Sequence, residues 1–282
     1  RVTPGQEDFA NKTIGQTHGV DDAIRCIGCH SVPRPDTSLI PEPRFFGVGC
    51  ESCHGAGAAH AKAMAAGDKT RGLLLNKFTD KGGKVINDTC GKCHMGPDHP
   101  QIEIYEESKH GIAFHANKDK MNLDSSKWVV GEDYDAAPTC ATCHMSATRK
   151  QPVTHDVGSR ISWNNRPAVS IRPEKSDAKM GLASANVSWE TRRDNMKDVC
   201  SACHSGSYID AFYIQYDGLI DLYNGKYALP GLELMAAAKP LLKPASFSNK
   251  IDWIWFELWH HEGRRARHAA SMQGPDYTHW HG

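Results

Sequence analysis

Residues 90–99 read Cys90-Gly-Lys-Cys93-His94-Met-Gly-Pro-Asp98-His99. The first five match C-x-x-C-H, in which the two-residue gap lets both thiols reach the vinyl groups of one porphyrin edge while the adjacent histidine reaches the iron. The pattern recurs at Cys26-Ile-Gly-Cys29-His30, Cys50-Glu-Ser-Cys53-His54, Cys140-Ala-Thr-Cys143-His144 and Cys200-Ser-Ala-Cys203-His204. Together the five copies use all ten cysteines, so none remains for a disulfide. A single copy also suits a zinc half-site or a redox pair. Five complete copies point instead to five covalently bound heme c groups, with His30, His54, His94, His144 and His204 as proximal iron ligands.

Several broader properties follow from this reading. The 282 residues are 39% hydrophobic, thin for a purely protein core of that size, so cofactor is expected to fill part of the interior. Heme attachment of this kind takes place outside the cytoplasm, which predicts a periplasmic or equivalent extracytoplasmic compartment. The chain starts at Arg1 with neither a charged n-region nor an apolar h-region, as expected once a signal peptide has been removed. No run approaches the roughly 18 apolar residues of a membrane span. Lys plus Arg equals Asp plus Glu, 33 against 33, which argues against a nucleic-acid partner. Two propionates per heme would make the loaded protein acidic, and Gly263-Arg264-Arg265-Ala266-Arg267 is a candidate propionate partner or a solvated helix face.

Successive first cysteines are 24, 40, 50 and 60 residues apart, so there is no fixed repeat and the hemes should form an irregular array. The expected fold is mainly α. Residues 1–186 form a multiheme core with four heme sites, in which short helices and loops wrap the cofactors. Residues 187–282 form a more regular helical region with the fifth site and the C-terminal tyrosine segment. Its helices are expected around Leu219 to Tyr223, Leu232 to Leu242 and Ile251 to Ala270, punctuated by Gly231, Pro240 and Pro244. Residues 251–259, IDWIWFELW, hold three of the seven tryptophans and suit either an aromatic face for porphyrin or another subunit, or an ordinary core helix.

An electron-transfer heme has two axial protein ligands, whereas a heme that performs chemistry keeps one position open. Sixteen histidines are present; five sit in the motifs, and the others are His18, His60, His99, His110, His115, His155, His260, His261, His268, His279 and His281. That number could saturate every iron. By local context His60, His110, His155 and His268 are the candidate distal ligands.

Residues 90–99, followed by Tyr105 and Ser-Lys-His110-Gly, resemble the hydroxylamine oxidoreductase family of multiheme cytochromes, where a heme motif is followed at this spacing by an Asp-His pair. Ala137-Pro-Thr-Cys140-Ala-Thr-Cys143-His144-Met145, with Thr154-His155 and Trp163, resembles the family's next heme site, and residues 191–205 resemble its last. Residues 261–282 are similar to the segment that carries a cross-linking tyrosine. Typical members hold eight hemes in one longer chain. The resemblance therefore covers a five-motif portion, from about Arg25 to the end. Three readings follow: a piece of a longer chain, a chain whose other hemes lie in a second heme-bearing chain, or a shortened relative.

The resemblance implies that the heme on Cys26 and Cys29 is catalytic and five-coordinate, that Asp98 and His99 line its open face, and that Tyr277 from a neighbouring copy bonds to its porphyrin within a homotrimer. It further implies a small nitrogen compound as substrate and an electron-accepting c-type cytochrome as partner. Oxidation of hydroxylamine or hydrazine releases protons with electrons, so bases at hydrogen-bond distance from the bound nitrogen are needed. Three functions remain in play: such an oxidase, a nitrite or hydroxylamine reductase of the same architecture, and a pure electron-transfer subunit.

Overall fold

The computed structural model describes residues 48–49, 52–53, 58–67, 85–96, 98–122 and 129–282. The expectations placed on Cys26, Cys29, His30, Cys50 and His54 lie outside the described residues. The chain divides into two compact units, Arg1–Phe78 with Leu241–Trp253 and Thr79–Pro240 with Ile254–Gly282. The fold is mainly α, as expected. Among the described residues there is no β-strand, only isolated bridges such as Asn164 to Ile171.

In the first unit, α1 (Ala58–Ala65) is built largely of alanine, the strongest helix former. Near residue 249 a polar turn closes on itself: the Asn249 side chain accepts from the Lys243 N–H (3.0 Å) and donates to the Lys243 carbonyl (3.1 Å).

The second unit begins with α2 (Val85–Gly91), α3 (Gln101–Glu107), α4 (Lys109–Asn117) and the single-turn α5 (Cys140–His144). Then come α6 (Pro173–Lys179), with proline at its first position, and α7 (Trp189–Cys200). Local chemistry sets the starts of these helices. Ser108 caps α4 by accepting from the Gly111 N–H, and Ser188 caps α7 by accepting from the Thr191 N–H. At α5, Thr139 and Thr142 form a reciprocal capping box. Helix α5 packs against both α2 and α7, which brings the ends of three heme motifs to one place.

Two long helices follow in the chain, each with a π-helical turn. The first runs through α8 (Gly206–Tyr223), a π turn at Asn224–Ala228 and α9 (Leu229–Ala238). The second runs through α10 (Lys250–Phe256), a π turn at Glu257–Glu262 and α11 (Gly263–Ser271). Helix α12 (Pro275–His281) then folds against α3 and α11. Ile209, Tyr213, Tyr216, Ile220 and Tyr223 alternate by four and three residues along α8 and form its buried stripe. Gly231 does not break the helix as its residue type suggested. It lies inside α9, where a Cβ would stand 2.2 Å from the Trp255 ring, so close approach of an aromatic side chain explains the glycine. Gly263 plays the same part on the partner helix, where a Cβ would stand 2.6 Å from the Tyr223 ring.

The apolar core is small and divided. Tyr105, Phe114, Met121, Val130, Tyr134, Ala137 and Val199 form one cluster. Ile209, Tyr213, Tyr216 and Ile220 form a second, and Ile104, Ala269 and Tyr277 a third. Buried and half-buried arginines tie the elements between them. Arg193 pairs with Asp217 (2.6 Å), Arg192 with Asp177 (2.7 Å), and the Arg172 guanidinium lies between the rings of Trp163 (3.5 Å) and Trp189 (3.6 Å). Among the described residues no helix is long and apolar enough to cross a membrane.

Candidate functional site

Each described C-x-x-C-H motif is a helical turn. Cys90 lies in the last turn of α2, and its carbonyl accepts from Cys93 N (3.1 Å) and His94 N (2.9 Å). Helix α7 ends in the same way at Cys200, whose carbonyl accepts from Cys203 N (3.1 Å) and His204 N (3.0 Å). The third motif is α5 itself. Cys90, Cys140, Cys143, Cys200 and Cys203 form no disulfide with one another. Burial pushes the Cys143 thiol up to about 12 and the Cys200 thiol up to about 11. A reactive redox pair needs a lowered thiol, so these are poor disulfide exchangers. The motifs also adjoin one another: the Cys90 and Cys140 side chains share a hydrogen bond, and Cys143 lies close enough to Cys200 to raise its own thiol further.

The histidines fit iron ligation. His144 donates from Nδ1 to the Val157 carbonyl (3.2 Å), which fixes the ring and leaves Nε2 free as a lone-pair ligand. Burial lowers its protonation, as it does for His94. His110, on α4, faces His204 with ring centroids 6.1 Å apart. Two metal–nitrogen bonds of roughly 2 Å plus the ring radii require about that separation, so this pair could hold one iron between them. His268 on α11 is buried, and burial followed by the charges of Arg267 and Arg264 drives its protonation down to about 3. It is therefore a neutral imidazole, with His94 among the groups acting on it and Gln101 Nε2 3.5 Å from its Nδ1. His155 is exposed in a turn. His60 lies on α1.

Asp98 and His99 stand together on the turn that leads into α3. His99 Nδ1 lies 2.7 Å from Asp98 Oδ2. The same oxygen is 3.8 Å from His260 Nε2 and 3.8 Å from Arg264 Nη1. Burial alone would raise the Asp98 carboxyl, but the hydrogen bond from His99, with the neighbouring His99 and His260 rings, holds it well below the usual range. His260 sits in the π turn, a feature frequent at functional sites. Burial and the Arg264 charge keep it neutral. Arg264 Nη1 donates to His260 Nε2 (3.1 Å), so the imidazole hydrogen is on Nδ1, a buried atom with no hydrogen-bond partner. The cluster therefore presents an ionised carboxylate at Asp98, paired with the His99 ring, and an unpartnered Nδ1–H hydrogen-bond donor at His260.

Tyr277 is buried on α12 against Ile104 and Ala269, with its ring 4.4 Å from that of His281. The part of His260 and Arg264 was missed from sequence. His260, Arg264 and His268 recur every four residues and so share one helix face, the signal that could have found them.

Comparisons with known proteins agree with this geometry. Residues 42–242 match the family model described as "Seven times multi-haem cytochrome CxxCH", and residues 3–55 match "Cytochrome c554 and c-prime". A probable nitrite reductase-hydroxylamine oxidoreductase fusion protein of Kuenenia stuttgartiensis is 31% identical over 139 residues, covering 43% of this chain and 16% of that protein. The C-type polyheme cytochrome OmcC of Geobacter sulfurreducens is 22% identical over 80% of this chain and 31% of its own length. Cytochrome c-554 of Nitrosomonas europaea is 34% identical over 25% of this chain and 34% of its own. The chain thus spans about a sixth to a third of the length of these relatives. Among solved structures, a hypothetical multiheme protein superposes over 98% of this chain and 68% of its own at TM-score 0.68 and 21% identity. A reducing HAO-like protein complex of Kuenenia stuttgartiensis superposes over 99% of this chain and 75% of its own at TM-score 0.52 and 16% identity.

Proposed function

The chain belongs to the multi-haem cytochrome CxxCH family, whose heme c is covalently bound, and from that premise we propose that it is a five-heme oxidoreductase that oxidises hydroxylamine or hydrazine. The observation that carries this reading is the Asp98–His99 pair at 2.7 Å, backed by His260 and Arg264. Heme c bound at the motifs would supply an iron for the substrate nitrogen and a sink for its electrons. The residues of the chain do the rest. Each electron removed from an N–H compound leaves with a proton, and His99, oriented through Nδ1 by the Asp98 carboxylate, receives it. Arg264 holds His260 by its Nε2 and keeps positive charge beside Asp98, so the carboxylate remains ionised.

By its resemblance, the open iron belongs to the heme on Cys26 and Cys29, and Tyr277 of a neighbouring copy bonds to that porphyrin in a trimer. The contiguous motifs at Cys90, Cys140 and Cys200 then carry electrons toward an accepting c-type cytochrome, in the periplasm or an equivalent compartment. A second heme-bearing chain would match the two-component HAO-like complex whose fold this chain resembles. The same cluster run in reverse would deliver protons to nitrite or hydroxylamine.

Pure electron transfer is the second reading, favoured by the His110–His204 pair, which would saturate one iron. The test is titration of the ferric protein with cyanide and hydroxylamine, followed by turnover with an artificial acceptor. One iron per chain that binds ligand, and hydroxylamine-dependent reduction of the acceptor, are expected. Uniformly low-spin irons that bind neither would leave the electron-transfer reading alone.

A further inference from the structure

We propose that Arg160 is an electrostatic tuning residue for the heme on Cys140 and Cys143, a cation fixed against the attachment turn that raises the reduction potential of this heme. Arg160 is 2% exposed. Its Nη1 donates to the carbonyls of Cys143 (3.1 Å) and Thr142 (3.3 Å), and its Nη2 to the carbonyl of Ser146 (2.6 Å). The guanidinium is thus bolted to the backbone of the heme-attachment turn. The same segment of chain supplies the Val157 carbonyl that orients His144.

A buried cation normally has an anion beside it, because an unpaired buried charge is strongly unfavourable. Among the described residues no carboxylate lies within ion-pair distance of Arg160. Asp198, the carboxylate that acts on it, is taken by Thr148 (2.5 Å), Gln151 (2.6 Å) and Lys150 (3.6 Å). Arg160 Nε is buried and has no hydrogen-bond partner. Its three acceptors are neutral carbonyls, so the positive charge remains uncompensated by protein.

The natural counter-charge is the cofactor. Adding an electron makes a heme with two propionates one unit more negative, and a fixed cation at its attachment turn favours that state. The neighbours at Cys90 and Cys200 have no comparable guanidinium on their turns among the described residues. The proposal rests on heme c being attached at Cys140 and Cys143, which intact mass checks independently.

The experiment compares wild type with Arg160→Met, Arg160→Lys and Arg160→Gln as purified holoproteins, first by intact mass for heme content and then by spectroelectrochemical titration. In Arg160→Met one midpoint should fall by at least about 59 mV, a tenfold change in a one-electron equilibrium constant, with the others unmoved. Arg160→Lys, which keeps the charge, should recover most of the shift. Arg160→Gln keeps a hydrogen-bond donor without the charge and takes the place of Arg160→Met if that variant loses its heme. Unchanged midpoints, an equal fall in Arg160→Lys, or heme loss in both neutral variants would each overturn the proposal. Wild-type mass lacking the heme at this site would instead defeat the five-heme reading.

Discussion

The turns around His144 and His94 carry the same covalent motif and have opposite surroundings. Around His144, Tyr134 donates to Thr142 (2.8 Å) and contacts Ser146 (3.1 Å), the Thr139 N–H donates to Thr142 Oγ1 (2.9 Å), and Arg160 holds three carbonyls. Thr139 and Thr142 are wholly buried. Around His94 the chain instead presents Asp98 and His99, 28% and 42% exposed, beside a histidine whose buried Nδ1–H has no partner. The interlocked hydroxyls and carbonyls of the first turn make one geometry rigid, whereas exposed groups beside an ionised carboxylate leave capacity for a substrate. One turn is built to hold a heme still, and the other to move protons.

The sharpest way to break this contrast is to substitute its two halves separately. Asp98→Asn keeps the shape of the side chain and removes the charge that orients His99. Turnover of hydroxylamine should fall about a hundredfold or more, as expected for a lost proton-transfer group, with heme content unchanged. Near-wild-type turnover would remove the pair from the mechanism. Thr142→Val, nearly isosteric, should do the reverse. It strands the buried Thr139 N–H and one Tyr134 hydrogen bond, at a cost of about 2 kcal/mol, while turnover per folded molecule holds. Thermal unfolding of the holoprotein followed by circular dichroism would register it. An unchanged midpoint would mean that the network is not what fixes α5.

Much of this contrast is written locally in the chain. The motifs were legible because covalent attachment fixes their spacing within five residues, and the mainly helical fold because α8 repeats its aromatic and aliphatic residues by four and three. Asp98 and His99 stood out through resemblance alone, since nothing in the run itself separates a turn aspartate from a base. What stayed hidden depends on chain segments far apart in sequence. The facing of His110 and His204 joins α4 to the end of α7, and the His260–Arg264 support for Asp98 joins a π turn to a loop more than 150 residues earlier. The π turns have no composition of their own, and Gly231 looked like a helix stop until the Trp255 ring explained it. Arg160 was unremarkable in sequence because its carbonyl partners are backbone, which any residue types supply.

The smallest expected effect is on acid stability, and it distinguishes the two turns by its pH dependence. The folded Asp98 carboxyl lies below its ordinary value near 3.8, so its contribution is fully present above that value and lost as pH falls through the lower folded value. The network around Thr139, Thr142, Tyr134 and Ser146 contains no carboxylate and should contribute equally across this range. The stability gap between wild type and Asp98→Asn should therefore close between pH 5 and about pH 2, while the gap for Thr142→Val stays constant. Unfolding midpoints of the three holoproteins at matched pH provide the comparison. A pH-independent gap for Asp98→Asn would mean that hydrogen-bond geometry, rather than charge, ties Asp98 to His99, and that the resting cluster holds no ionised carboxylate ready to orient a base.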